Sequence, residues 1–437
     1  MFLQSPSETH NIPAGRSRIE SIDVLRGIVM ILMALDHCRD FFHLYAFVYN
    51  PEDLNHTTPF VFFTRWITHF CAPVFTLLAG TSAFLHFHKK NLNKHQSAMF
   101  LLSRGLMLIL LEVTITRFAW RFAVDYKSIG GLVIWALGWS MIFLGAIQYL
   151  PGRIILYLSL LIIFGHNFLD PIHFNANRIT ELLWAIFHER KFVPITDSFG
   201  VNVLYPILPM IGLMSFGYWL GTWFTPDKHK RVLRQDMLKY LGLATVFSFF
   251  VLRSIQLMAH QYSYVFFEQS GDSALYRLFK KIILFIATTY GDPSPWTLQE
   301  NLTYTVISFF NTTKYPMSLM YILMTVGPAL VLLSFLENKK NRLTDILQVY
   351  GRVPLFYYVL HLFLIHGLAV LLAVLTHLNE MSDIIFSGNW TALSKNYGYN
   401  LPTVYIIWII VVCILYFPCH WYMHLKATKQ YKWLSYF

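Results

Sequence analysis

Long apolar runs separated by short polar connections dominate the pattern of the chain. A run of about 18 to 25 mainly apolar residues can cross a bilayer of roughly 30 Å as a helix. The pattern predicts ten such segments, at 24–46, 60–86, 101–123, 129–149, 152–169, 202–224, 239–259, 316–336, 353–376 and 402–424. A shorter apolar run at 276–290 has three cations at one end, which is typical of an interfacial segment. The predicted fold class is an all-α polytopic membrane protein with about ten transmembrane helices.

Composition agrees with this fold class. Of the 437 residues, 56% are hydrophobic and only 13% are charged, which is too apolar a balance for a water-soluble domain. The chain divides into a polar tail at 1–23, one membrane domain at 24–424 and a second tail at 425–437, without internal repeats of the transporter kind. Because the first 18 residues are polar, we expect no cleavable signal peptide, and the first helix acts as its own insertion signal.

The distribution of basic residues indicates the orientation of the chain. Most of the 34 Lys and Arg residues lie in the tails and in the short connections on the same side as the tails. Since cytosolic loops are enriched in Lys and Arg, this asymmetry places both termini in the cytosol. It also explains the net charge of +11, so nucleic-acid binding is not expected. The longer loops face the outside, where recognition of a sizeable partner is expected.

Ionisable residues interrupt the first apolar run, SIDVLRGIVMILMALDHCRDFFH (21–43). Arg26 and His37 are eleven residues apart, about 1100° on an α-helix, so they share one face with a rise of about 16 Å between them. Met30 and Met33 lie between them along the same stripe. This order gives a cation near the cytosolic mouth, then an apolar track, then a titratable base.

Two carboxylates adjoin His37. Asp36 precedes it, and Asp40 follows one turn later, close enough to orient or charge the imidazole. Arg26 has a simpler alternative as a snorkelling anchor at the cytosolic helix end. The alternative for the cluster of Asp36, His37, Arg39 and Asp40 is that its members only pair with one another inside the bundle. Ionisable groups at depth are costly and usually line a functional cavity, which favours a functional role.

The second segment contributes two further candidates for the wall of that cavity. Arg65 and His69 are one turn apart near the outer end of the segment. They meet the Asp36 region if the first two helices are antiparallel neighbours. The alternative is a structural ion pair with Asp40.

Two more ionisable residues lie within later segments. Glu112 is in the middle of the third segment, where it either lines the cavity or forms a buried bridge with Arg104 or Arg117. His361 in the ninth segment is a candidate for the cavity wall. The sequence has no zinc signature, no phosphate-binding glycine loop and no serine elbow, so no metal is expected.

The sequence also resembles a family of membrane-bound acyltransferases. RIESIDVLRGIVMILMALDH (18–37) looks like the opening helix of proteins related to heparan-α-glucosaminide N-acetyltransferase, in their bacterial branch. The resemblance continues in TTPFVFFTRWITHFCAPVFTLLAGTSAFL, SRGLMLILLEVTITRF, YPILPMIGLMSFGYWLG, TKYPMSLMYILMTVGPAL and YGRVPLFYYVLHLFLIH. The spacing of Arg, ten residues and His is similar to a motif of the acyltransferase-3 superfamily, in which the Arg serves acyl-CoA binding and the His serves acyl transfer.

The resemblance implies transmembrane acetylation. Acetyl-CoA would enter from the cytosol with its phosphates at Arg26, its pantetheine arm along Met30 and Met33, and its acetyl group near His37. That base would deprotonate a sugar or glycan acceptor at the outer face. In the heparan enzyme, an Asn holds the place of His37 and the catalytic His lies in the following loop. His56 occupies that loop here and is the second candidate base.

These inferences predict an acyltransferase of the bacterial cytoplasmic (inner) membrane whose partners are the lipid bilayer, acetyl-CoA and a polar acceptor. Direct transfer and an acetyl-histidine intermediate both fit the residues. The oligomeric state stays open, with a homodimer as one option. Two other classes are alternatives: a proton-coupled permease that uses the buried acids and bases as a relay, and a non-catalytic relative that acts as a scaffold.

Overall fold

The computed structural model describes residues 19–44, 46, 49–174, 177–225, 228–267, 291–292, 296–376, 398–429 and 431, without the side chains of 228–232, 258–267 and 376. The segment 276–290 lies outside the described residues. The α-helices are α1 (Glu20–Phe42), α2 (Pro59–Thr68), α3 (Cys71–Lys90), α4 (Lys94–Leu111), α5 (Arg117–Arg121), α6 (Val133–Ile147), α7 (Gly152–Gly165), α8 (Arg178–Phe187), α9 (Leu208–Leu220), α10 (Lys228–Phe267), α11 (Leu302–Phe310), α12 (Leu319–Leu336), α13 (Arg342–Arg352), α14 (Pro354–Thr376) and α15 (Leu401–Thr428).

Helices account for each of the ten predicted segments, and the prediction of an all-α polytopic membrane protein is confirmed. In the described part of the chain, seven helical stretches are long and apolar enough to cross a membrane: Pro59–Lys90, Lys94–Arg121, Gly152–Leu169, Leu233–Leu257, Leu319–Leu336, Pro354–Leu375 and Leu401–Thr428. The other three predicted segments correspond to α1, α6 and α9. Helix α1 carries many charges, and α6 and α9 have only 15 and 13 residues.

Helix α1 lies inside the bundle, where it packs against α3, α12, α13, α14 and α15. The helices around it differ in burial: 72% of the most apolar window of α12 is buried, but only 17% of that of α15. α12 is therefore a central helix, and α15 presents most of its surface to the outside. Because α1 is enclosed on several sides, its ionisable side chains meet protein rather than lipid.

Two glycines allow α1 and α13 to cross with their backbones in contact. A Cβ atom on Gly27 would lie 1.9 Å from the carbonyl oxygen of Leu347, and one on Gly351 would lie 1.8 Å from that of Asp23. Small residues permit such close approach between helices in membranes. This crossing fixes the first turns of α1, which carry Arg26, against α13.

A small sheet lies among the loops at the end of the bundle opposite the first turn of α1. Strand β3 (Gly200–Val203) pairs in parallel with β1 (Ser128–Gly131) and antiparallel with β2 (Lys191–Pro194). Four-residue strands are too short to give an alternating pattern. The sequence predicted a loop at β2, and it placed most of β1 and half of β3 at the starts of the predicted segments 129–149 and 202–224, which is wrong for those residues. We call this end, which also holds residues 49–58, the loop end. The end with Lys89, Lys340 and Lys426 is the basic end.

Candidate functional site

A cavity of about 1150 Å³ opens at the basic end of the bundle. Its wall runs along α1 from Glu20 to Met33, about 20 Å at 1.5 Å per residue. The volume exceeds the roughly 300–1,000 Å³ of common small-molecule sites. The cavity is therefore long enough and large enough for an extended ligand.

The mouth and the inner end of the cavity differ in character. The cations at the mouth, besides Arg26 and Arg234, are Lys89, Arg104, Lys339, Lys340, Arg352 and Lys426. The apolar and aromatic residues of the inner part include Met33, Met107, Leu108, Ile134, Leu137 and Tyr358. Of the acids on the wall, Asp23 is paired with Arg26 and Glu337 with Arg234. The mouth is thus suited to an anionic group and the inner part to an apolar one.

Arg26 lies on this wall in a fixed position. Its Nη1 donates to Asp23 Oδ1 and to the carbonyl oxygen of Gly351, both at 3.0 Å, and its Nη2 donates to Ser82 Oγ at 2.5 Å. The guanidinium therefore links α1 to α3 and α13 at the cavity. Met33 also lines the cavity, whereas Met30 is fully buried in the core and not on the wall.

His37 lies one helical turn beyond Met33, next to the inner end of the cavity. Its ring centroid is 4.7 Å from that of Trp120 and 5.1 Å from that of His361. The ring of His361 is in turn 5.4 Å from that of Tyr358, which lines the cavity. Helices α1, α5 and α14 thus bring two histidines together beside the deepest part of the cavity.

Both histidines have unpaired ring nitrogens. His361 Nδ1 donates to the carbonyl oxygen of Tyr357 at 3.0 Å, and its Nε2 has no hydrogen-bond partner among the described residues. His37 Nδ1 likewise has none, and the nearest carboxylate oxygen, Asp40 Oδ2, is 3.9 Å away. Arg39 binds the other Asp40 oxygen at 2.5 Å. The pair of imidazoles therefore has free capacity to accept or donate a proton.

Asp36 has a different environment, on the side of α1 that faces α2. Arg65 Nη1 contacts both of its oxygens at 2.8 Å, and Thr68 Oγ1 donates to Oδ1 at 2.8 Å. Arg39 and Lys314 lie 3.1 Å and 3.7 Å from its oxygens. The oxygens of Asp36 therefore interact with three cations and a hydroxyl, and not with the imidazole of the neighbouring His37.

The same network extends to the loop end through Glu52. Its Oε1 accepts hydrogen bonds from Arg65 Nε and from His69 Nε2, both at 3.0 Å. Burial favours a raised pKa for Glu52, but the hydrogen bond from His69 and the charge of Arg65 outweigh it and hold that pKa well below its usual range. Helices α1 and α2 are thus neighbours as expected, with Arg65 on Asp36 and His69 on Glu52.

Two residues of this network, Tyr315 and Glu52, were not predicted from the sequence, whereas Lys314 was a candidate for an outer anchor or an acceptor contact. Tyr315 places its hydroxyl 3.5 Å from Arg65 Nη2, and Lys314 is buried beside Asp36. Neither these residues nor Glu52 fall in a periodic pattern. Loop residues of this kind become recognisable only when folding brings them to the helix they contact.

His56 stands apart at the surface of the loop end. Its side chain is 60% exposed, and its Nδ1 lies 2.7 Å from Asp53 Oδ2. Its ring also lies against that of Tyr49, at 5.7 Å. Among the described residues, no hydrogen bond, ion pair or ring contact joins His56 to His37, so the two candidate bases occupy separate positions.

The side chain of Glu112 has a structural role at the start of α6. It begins a π-helical turn, Glu112–Thr116, and its carboxylate accepts hydrogen bonds from the backbone N–H groups of Ile134 and Trp135. These amides belong to the first turn of α6, where the N–H groups have no partner within the helix. Glu112 therefore caps α6. Among the described residues, neither Arg104 nor Arg117 forms the bridge that was one alternative for Glu112, and Glu112 does not line the cavity, which was the other.

These features define a polytopic membrane protein whose helices enclose a deep cavity that ends beside His37 and His361. The chain belongs to the family of heparan-alpha-glucosaminide N-acetyltransferase catalytic domains, whose family model matches residues 18–263. No curated protein matches the chain. The family implies a membrane acetyltransferase-type function, as the sequence predicted. Lys314, Tyr358 and His361 lie beyond the matched residues, so the fold brings them to the site.

Proposed function

We propose that the protein transfers the acetyl group of acetyl-CoA, taken up at the basic end, to a hydroxyl or amine of a glycan acceptor at the loop end. The observation that carries this proposal is the shape of the cavity. It begins among cations, becomes apolar, and ends one helical turn from His37. This order of surfaces matches the order of groups along the donor.

The donor combines an anionic nucleotide with a long, thin pantetheine arm. Its phosphates suit the cations at the mouth, because charge-assisted hydrogen bonds from Arg and Lys to phosphate are strong. The arm suits the apolar wall that ends at Met33 and Tyr358. In this arrangement the thioester lies beside the rings of His37 and His361.

The chemistry requires a base for the acceptor. Neutral His37 takes the proton from the acceptor O–H or N–H while the acceptor oxygen or nitrogen attacks the thioester carbonyl. The C–S bond then breaks, and the CoA thiolate leaves with the proton that the imidazolium returns. In the second route that the residues allow, a ring nitrogen of His37 attacks the thioester carbonyl, the C–S bond breaks, and CoA leaves as the thiol with the ring proton. The acceptor oxygen or nitrogen then attacks the acetyl carbon, the bond from that carbon to the ring nitrogen breaks, and the acceptor proton passes to the ring. His361 supports either route as a neighbouring ring that can hold the imidazole in place.

The loop end supplies the acceptor side in this proposal. The ion network of Asp36, Arg65 and Glu52 forms a fixed polar wall there. His56, paired with Asp53, is a second candidate base with direct access to solvent. A glycan hydroxyl could meet His56 at the surface or His37 at the inner end of the cavity, and variants separate these two routes.

The test combines acetyl-CoA binding with turnover in detergent-purified protein, with CoA release measured over a panel of amino sugars and oligosaccharides. We expect the wild-type protein to bind acetyl-CoA and to release CoA when a suitable acceptor is present. His37→Gln should retain binding and lose about 10²–10⁴-fold in turnover, the usual contribution of a general base. Absence of acetyl-CoA binding by the folded wild-type protein would contradict the proposal.

The role of His56 needs a matched control. His173 is also exposed, with 55% of its side chain accessible, and its Nδ1 lies 3.3 Å from Glu189 Oε1. If His56 takes no part, His56→Gln and His173→Gln behave alike and keep wild-type turnover. If His56→Gln alone loses turnover while His37→Gln retains it, the base is in the loop and the assignment to His37 is wrong.

A further inference from the structure

Two histidines on α15 lie outside the site described above. His420 and His424 are four residues apart, so they share one face of the helix. Both are exposed, and their Nε2 atoms lie 3.2 Å apart, with ring centroids separated by 4.5 Å. The two imidazoles therefore direct one nitrogen each at a common point on the surface.

The separation of these nitrogens fits two ligands of one metal ion. Zinc binds histidine nitrogen at roughly 2.0–2.1 Å, so two such ligands 3.2 Å apart subtend an angle of about 100–106° at the metal. That angle is close to tetrahedral. Imidazole is also the ligand that zinc, copper and nickel accept readily, whereas magnesium and calcium prefer oxygen.

We propose that His420 and His424 form a surface site for a divalent transition metal ion of the zinc class. The described residues contain no group of three or more His, Cys, Asp or Glu that could hold a metal, so these two imidazoles are the protein ligands and water completes the shell. An incomplete ligand set of this kind binds reversibly and leaves coordination positions open. The site therefore differs from a closed structural zinc site.

The surroundings of the pair favour a fixed geometry. The ring of His420 stacks on that of Tyr416, with centroids 5.7 Å apart. The carbonyl oxygen of His424 accepts a hydrogen bond from Thr428 Oγ1 at 3.0 Å in the last turn of the helix. A bound ion would cross-link two successive turns close to Lys426, which lines the mouth of the cavity. The metal site thus lies next to the cavity mouth without sharing its residues.

The test is zinc binding by isothermal titration calorimetry to the full-length protein, purified without a histidine tag. We expect one zinc ion per chain and no binding of magnesium. His420→Gln and His424→Gln should each weaken zinc binding at least tenfold. His95→Gln, which changes an exposed histidine on α4, should leave it unchanged.

Since both ligands are at the surface, the variants should elute as the wild-type protein does in size-exclusion chromatography. Copper(II) provides an independent readout, because its electron paramagnetic resonance spectrum should show two nitrogen ligands in the wild-type protein and one in each variant. Equal zinc affinity in the wild-type protein and in the double variant would overturn the proposal. The pair would then be only an imidazole hydrogen bond.

Discussion

Asp36 and His37 are consecutive in the chain but have separate environments. A step of one residue rotates the side chain by about 100° around the helix. Asp36 therefore meets the cations Arg65 and Lys314, while His37 meets the rings of α5 and α14. The fold thus separates a charged network from an imidazole pair that keeps unpaired nitrogens. Such a division lets one helix satisfy its buried charges and still offer a base.

The lowered pKa of Glu52 predicts how the stability of the protein responds to acid. Its pKa in the folded protein lies below the ordinary value of about 4.3, so its ionised form stabilises the fold at neutral pH. That contribution is complete above the ordinary value and is lost as the pH falls below it. Glu52→Gln should lower the free energy of unfolding by about 1–3 kcal/mol at pH 7, because Arg65 and His69 lose a charged acceptor.

Thermal unfolding in detergent between pH 3.5 and 7 measures this effect. The variant should lose less stability than the wild-type protein as the pH falls through this range. Glu300→Gln, which changes an exposed carboxylate, serves as the control and should follow the wild-type curve. Parallel curves for the wild-type protein and Glu52→Gln would show that the carboxylate contributes nothing in the folded state.

At the scale of helices, the crossing of α1 and α13 is sensitive to a single added methyl group. In Gly27→Ala the added Cβ would meet the carbonyl oxygen of Leu347 at 1.9 Å, so the helices must separate. Overpacking of this kind typically costs about 1–3 kcal/mol. We also expect weaker acetyl-CoA binding, because Arg26 is the adjacent residue and its partner Gly351 belongs to α13.

Gly367→Ala is the matched control, since a Cβ built at that position in α14 would have no atom of a packing neighbour within 4 Å. Alanine there should be neutral or stabilising by up to about 1 kcal/mol, because it has the higher helix propensity. The measurement is the melting temperature of each variant in detergent, together with calorimetry of acetyl-CoA binding. If both glycine variants melt alike, the close crossing has no energetic importance.

For the whole molecule, the charge asymmetry predicts that the basic end faces the cytosol. The variants His95→Cys, near the basic end, and His173→Cys, near the loop end, should report directly which end of the bundle faces the cytosol. The background should be Cys413→Ser, because Cys413 is exposed and Cys38, Cys71 and Cys419 are buried. A membrane-impermeant maleimide should label His173→Cys in intact cells and His95→Cys only after permeabilisation. The opposite result would invert the proposed direction of acetyl transfer.

The sequence by itself determined the class of protein. Apolar runs long enough to span a bilayer must be satisfied as helices in lipid, so hydropathy alone located ten helical segments. The helical repeat also brought Arg26 and Met33 to one face, and both line the cavity. The resemblance of residues 18–37 to one family is confirmed by the family match.

The tertiary structure decided which of the candidate residues meet. Met30 is turned about 40° from Arg26 around α1, and the packing of neighbouring helices leaves it in the core instead of on the cavity wall. Glu112 caps α6, and His361 reaches His37 across more than three hundred residues of chain. Local periodicity fixes the direction of a side chain around its own helix. The residue that this side chain contacts on another helix depends on long-range packing. The pattern of apolar and polar positions along the chain carries no information about that packing.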